Sequence, residues 1–118
     1  MVAVEVPEPM DFLAEWGIEP VEAEEDRLYW AYDLRAHAGV PVMLSFCGME
    51  SWLGTSIESG EASSSTLLDG LKRLRFVDSG KPMRALVGDF SQGERKLHVT
   101  ISVFDGVKIE WTPSPLAG

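Results

Sequence analysis

The chain has 118 residues, 45% of them hydrophobic, and a formal net charge of -9, which suits one domain with a substantial core and no need of disulfide staples. Its longest apolar runs, such as Val42-Met43-Leu44, fall far short of the roughly 20 residues of a membrane-crossing helix. A lone cysteine, Cys47, excludes an internal disulfide and agrees with a reducing compartment. The opening Met-Val-Ala-Val-Glu-Val-Pro-Glu lacks the positive charge and apolar stretch of a secretory leader, so a cytoplasmic setting is expected.

The first 26 residues hold nine carboxylates (Glu5, Glu8, Asp11, Glu15, Glu19, Glu22, Glu24, Glu25, Asp26) and no Lys or Arg. From Arg27 onward there are ten acids and ten bases, so the net charge belongs to this arm. Within it, Pro9 suits a first helical turn, Phe12, Leu13 and Trp16 recur at helical spacing, and Gly17 fits the position past a helix end. A helix over Pro9–Trp16 is predicted, docked through Phe12, Leu13 and Trp16, with Asp11 and Glu15 in water. Residues 18–26 contain a proline and five carboxylates with little periodicity, and read as a flexible exposed connector.

At Arg27 the period becomes two. Leu28, Trp30, Tyr32 and Leu34 share one face of a predicted strand, and Val40, Val42, Leu44 and Phe46 continue the pattern after the loop Ala36–Gly39, giving an antiparallel hairpin. Leu53, Thr55 and Ile57 suggest a third strand. After a polar loop Gly60–Ser65, the spacing of Leu67, Leu68, Leu71 and Leu74 predicts a second helix, capped by Ser65 or Thr66. Its basic end, Lys72, Arg73 and Arg75, suits the helix dipole, although Gly70 costs up to about 1 kcal/mol there.

The last third reads as a meander over Met83–Phe90, Lys96–Val103 and Val107–Trp111, whose middle strand shows the cleanest alternation. A two-residue turn at Asp105-Gly106 would put the apolar faces of its last two strands on opposite sides. A three-residue loop Phe104-Asp105-Gly106 instead sets Val103 opposite Val107 and brings Val107, Ile109 and Trp111 to the core. The expected fold is α+β: an antiparallel sheet of about five or six strands covered by two short helices. It forms a single domain, 1–118, with an acidic arm over 1–26 and a loose tail over 112–118.

No phosphate loop, dinucleotide fingerprint, nucleophile elbow or His-Glu-x-x-His pattern occurs, so neither catalysis nor a cofactor is expected. Cys47 has no base near it in sequence and reads as a small strand residue; His37 and His98 read as exposed, and no metal-ligand spacing is present. Lys72, Arg73, Arg75, Lys81 and Arg84 form one basic cluster. The chain's overall charge has the wrong sign for direct nucleic-acid binding, so this cluster is expected to pair with the acidic arm. No membrane contact is expected.

The arm's field would steer a basic protein partner and orient it. A small acidic domain without catalytic motifs meets the physical requirements of an inhibitor of immunity or antitoxin type, occluding a basic toxin or nuclease. The expected contacts are Glu19, Glu22, Glu24, Glu25 and Asp26 for charge, with Tyr29 and Trp52 as aromatic anchors. Trp52 is the tryptophan out of phase with Leu53 and Ile57. Two rival readings stand beside it. A self-associating structural subunit would show an unprotected apolar outer strand, and a small-molecule binder would show a cavity lined by Trp30, Tyr32 or Trp52.

Overall fold

The computed structural model describes residues 4–104 and 106–113, with backbone alone at Ser59. Helix α1 (Pro9–Trp16) begins with proline in its first turn; the Glu8 amide donates to Asp11 Oδ2 at 2.9 Å, and Gly17, at φ 69°, ends the helix with its amide on the Leu13 carbonyl. The chain continues as β1 (Glu22–Glu24), a one-turn 3-10 helix (Glu25–Arg27), β2 (Tyr29–Asp33), a short α2 (Arg35–Ala38), β3 (Val42–Cys47), β4 (Trp52–Ser59), β5 (Ala62–Asp69), β6 (Leu71–Val77), β7 (Ala85–Gln92), β8 (Arg95–Ser102) and β9 (Lys108–Pro113).

Every pairing between these strands is antiparallel, and they form two sheets in chain order, β1-β2-β3-β4-β5 and β6-β7-β8-β9. Trp30, Tyr32, Leu44, Phe46 and Leu53 of the first sheet and Leu71, Leu74, Leu86, Phe90, Val99 and Ile101 of the second meet in one core. Phe12 joins them: its ring stacks on Tyr32 at 4.0 Å and meets Phe76 of β6 edge-on at 4.9 Å. Trp16 also packs edge-on against Phe76, and its indole N–H donates to the Arg84 carbonyl at 2.8 Å. The small helix thus contacts both sheets.

The α+β class holds, but with nine strands among the described residues rather than five or six. Most of the difference comes from the second helix, which does not exist. Residues Gly60–Ser65 and the leucine-rich run after them form the β4–β5 turn, β5 and β6. Gly70 sits between the two sheets at φ 88°, and a Cβ there would come within 2.3 Å of the Ser91 carbonyl oxygen. A register shift between Leu71 and Arg73 lets Leu71 and Leu74 both face the core. Two inward leucines three residues apart imitate a helical face because the bulge inserts one residue into the alternation.

Other expectations need smaller corrections. Residues 22–24 of the expected connector form an edge strand, pairing Glu22 with Ala31 and Glu24 with Tyr29. Leu13 is 49% exposed, because Phe12 and Trp16 alone turn inward. Glu15 is half-buried rather than in water, its Oε2 lying 3.4 Å from Arg84 Nε. Trp111, at 44% exposure, stands off the core on the outer strand β9. In the C-terminal hairpin the pairs Ile101–Ile109 and Ser102–Lys108 have the expected register, and Gly106 has φ 102°. Asp105 in that loop and residues 114–118 of the expected tail lie outside the described residues, whereas Thr112 and Pro113 belong to β9.

Truncation of the inserted ring should be costly: Phe12→Ala is expected to lower unfolding stability by about 3–5 kcal/mol, against under about 1 kcal/mol for Leu13→Ala. Urea denaturation checks both, and equal losses would remove the distinction between the two faces of α1. In the same assay Gly70→Ala should lose at least about 2 kcal/mol, since alanine there meets both a left-handed backbone and the Ser91 carbonyl.

Candidate functional site

Antiparallel register sets Glu24, Tyr29, Cys47, Trp52 and Asp69 side by side across the first sheet. Residues directly opposite in a ladder share a face, so this row lies on the side away from the core residues Trp30, Phe46 and Leu53. Two turns hold it. The 3-10 helix closes with Leu28 at φ 54°, and the β3–β4 turn folds back so that the Gly48 amide donates to the Leu28 carbonyl and the Met49 amide to the Arg27 carbonyl. Any Cβ at Gly48 would lie 2.9 Å from Leu28 Cβ, which is why glycine occupies this close approach.

The resulting surface is a network of charge and aromatic rings. Arg27 Nη1 lies 2.8 Å from Glu24 Oε2, its Nη2 pairs with Glu50, and its guanidinium sits 5.8 Å above the Tyr29 ring. Tyr29 and Trp52 lie 5.9 Å apart; the Tyr29 hydroxyl donates to Glu22 Oε2 at 3.1 Å, and the Trp52 indole N–H donates to Glu50 Oε1 at 3.1 Å. The Glu50 carboxyl is held below the usual carboxylate range by the Trp52 and then the Arg27 hydrogen bond, while the Glu50 hydrogen bond raises Arg27. Burial first, and then the bond to Glu22, raises the Tyr29 phenol above its ordinary value.

Of the expected contacts, Glu22, Glu24, Tyr29 and Trp52 therefore converge on one cleft. Trp52 is a half-buried residue of β4. Glu19 and Asp26 are exposed beside this cleft's strand, and Glu25 lines a different cleft with Val4, Met10 and Trp30. Sequence reasoning missed Arg27 and Glu50. Their one signal was position: Arg27 is the first base after nine acids, and Glu50 stands two residues before the out-of-phase tryptophan.

On the second sheet, Arg73 Nε and Arg75 Nη2 lie 3.6 and 3.8 Å from Asp89 Oδ2, whose other oxygen is bonded by His98 Nδ1. Among the described residues, Arg84 of this basic cluster forms an ion pair with the acidic arm, at Glu15, and Arg73 meets the arm through a backbone bridge to Glu5. Neither histidine is free in water as expected: both are half-buried, and His37 donates from Nε2 to the Trp16 carbonyl. Cys47 is buried, its thiol donating to the Arg27 carbonyl. Among the described residues, no three His, Cys, Asp or Glu side chains are grouped to hold a metal ion, and no helix is long and apolar enough to cross a membrane.

Charge follows the two-sheet division. Residues 1–69, which end with β5, hold fourteen acids and two bases; from Gly70 onward there are five acids and eight bases.

No protein family and no curated protein matches the chain. Among solved structures, a chain of the "Contact-dependent growth inhibition toxin - immunity protein complex from Klebsiella pneumoniae 342" is similar, with a TM-score of 0.80 and 19% sequence identity, over 97% of this chain and 100% of that one. The likeness is one of fold.

The environment of Tyr29 can be read directly, because the chain has two tyrosines. Tyr32 is fully buried, and that burial drives its phenol far above the ordinary range. In an alkaline absorbance titration neither tyrosine should ionise near the ordinary value of about 10. Glu22→Gln should bring one transition, that of Tyr29, partway down. Because the unfolded chain releases these protons first, stability should be fully present below about pH 10 and fall as pH rises beyond it.

Proposed function

We propose that this chain is an immunity-type inhibitor: a non-enzymatic domain that neutralises a toxin by binding it. The similar fold comes from a complex between a growth-inhibition toxin and an immunity protein. The observation that carries the reading is the concentration of fourteen acids against two bases in the half containing the first sheet. A field of that sign attracts a basic toxin, for instance one acting on nucleic acid, and accelerates docking. The proposed contact surface is the outer face of β1, β2 and β4, with Tyr29 and Trp52 as anchors, Glu22, Glu24 and Glu50 as acceptors, and Glu19, Glu25 and Asp26 steering the approach. Network bonds hold the rings in place before binding, which limits the ordering entropy lost on association. The setting proposed for this activity is the cytoplasm.

The test is capture of a toxin from the native host's lysate with the tagged chain, followed by co-expression of the two proteins in bacteria. Wild type should restore growth, and association measured with purified proteins should slow steeply with salt. A variant with Glu19, Glu22, Glu24 and Glu25 changed to Gln and Asp26 to Asn should associate at least about tenfold more slowly at low ionic strength. Trp52→Ala should act instead on dissociation. Growth arrest caused by this chain alone would overturn the inhibitor reading and assign it the toxin's part. Full protection and unchanged rates in both variants would move the interface elsewhere.

A further inference from the structure

A second cleft, of about 620 Å³, opens between α1 and the 3-10 helix on the opposite side of Glu24–Glu25 from the aromatic network. Its floor is apolar, formed by Val6, Leu28 and Trp30, and Met10 stands over it at 77% exposure. Glu5, Glu8 and Glu25 line the same cleft, and none of its described lining residues is basic; Glu5 also borders a neighbouring cleft that Arg75 and Arg84 line. Nor does any ion pair among the described residues involve these three acids, in contrast to Glu24 and Glu50, which share Arg27. Leu28 joins that floor from a left-handed backbone, held there by the Gly48 amide rather than following the strand's alternation.

We infer that this cleft receives an arginine side chain of the partner. An aliphatic stem fits the apolar floor, and a planar, weakly hydrated guanidinium suits both the exposed edge of the tryptophan and a rim of carboxylates that form no ion pair of their own. A carboxylate or phosphate would meet like charge on that rim, and a wholly apolar side chain would leave the three acids partly desolvated and unpaired. The identity of the partner rests on the immunity reading; the chemistry of the cleft does not.

The test therefore uses small probes and the full chain. In a heteronuclear NMR titration, n-butylguanidinium should shift the amides of Val6, Met10 and Leu28 and the Trp30 indole saturably. The neutral n-butylurea and guanidinium ion without a stem should each bind at least about tenfold more weakly. Glu5→Gln combined with Glu25→Gln should weaken the probe by a similar factor while leaving the rest of the spectrum in place, which shows that the fold survives. Equal binding of n-butylurea, or shifts confined to Glu22, Tyr29 and Trp52, would overturn the inference. So would equal binding of n-butylammonium, which would assign the cleft to lysine, or binding seen only in a chain beginning at Val4, which would make residues 1–3 the occupant. Because no toxin is present, the cleft can fail while toxin neutralisation stands, and the reverse.

Discussion

Two antiparallel sheets joined through one glycine share a core only if something fixes the angle between them, and Phe12 supplies that constraint. Its ring lies on Tyr32 of one sheet and against Phe76 of the other, so the eight-residue helix carrying it touches both layers. Such a helix would be marginal by itself, at well under the roughly 12–15 residues an isolated helix needs in water. Here the dependence is mutual, because packing stabilises the helix and the helix fills the space between the layers. The Trp16 indole bond to the Arg84 carbonyl and the Glu15–Arg84 pair attach the far end of α1 to the segment preceding β7.

That attachment changes the meaning of the acidic segment. A flexible arm would present its carboxylates as a diffuse cloud, and a partner would have to order it. Instead Glu22 and Glu24 are placed by strand pairing, and Glu25 by a helical turn. Neighbouring positions consequently diverge: Glu24 meets an arginine, a tyrosine and a tryptophan on one side, while Glu25 faces an apolar cleft on the other. Charge density is a property of composition, but this division of labour comes from the backbone.

Much of the fold was legible because its signals were local. Pro9 and Gly17 bracket α1 in the sequence as they do in space, and the alternation through Leu97, Val99, Ile101 and Val103 marks an interior strand of the second sheet. The register of the C-terminal hairpin followed from asking which loop length keeps both apolar faces together. What misled was a local signal with two physical sources: Leu71 and Leu74 lie inward either on a helix or on a bulged strand, and only the close non-local approach of Gly70 to Ser91 chooses. The candidate site was legible in part for the same reason. Tyr29 and Trp52 were visible as out-of-phase aromatics, but Cys47 between them in the ladder, and the Arg27–Glu50 pair over them, exist only once β2, β3 and β4 are aligned.

Strand β5 shows how the charge asymmetry also serves the free protein. It forms the outer edge of the first sheet, and seven of its eight residues are exposed. It is serine-rich and carries no lysine, arginine or proline of the kind that usually blunts such an edge. Its guard is electrostatic: Glu58, Glu61 and Asp69 lie along or beside it within a half-molecule of strongly negative charge. Two copies approaching edge to edge repel one another, over a range set by the ionic strength. Concentrated salt removes the guard without altering a single contact inside the molecule, so the conditions that quiet its electrostatics are those under which it is most prone to aggregate.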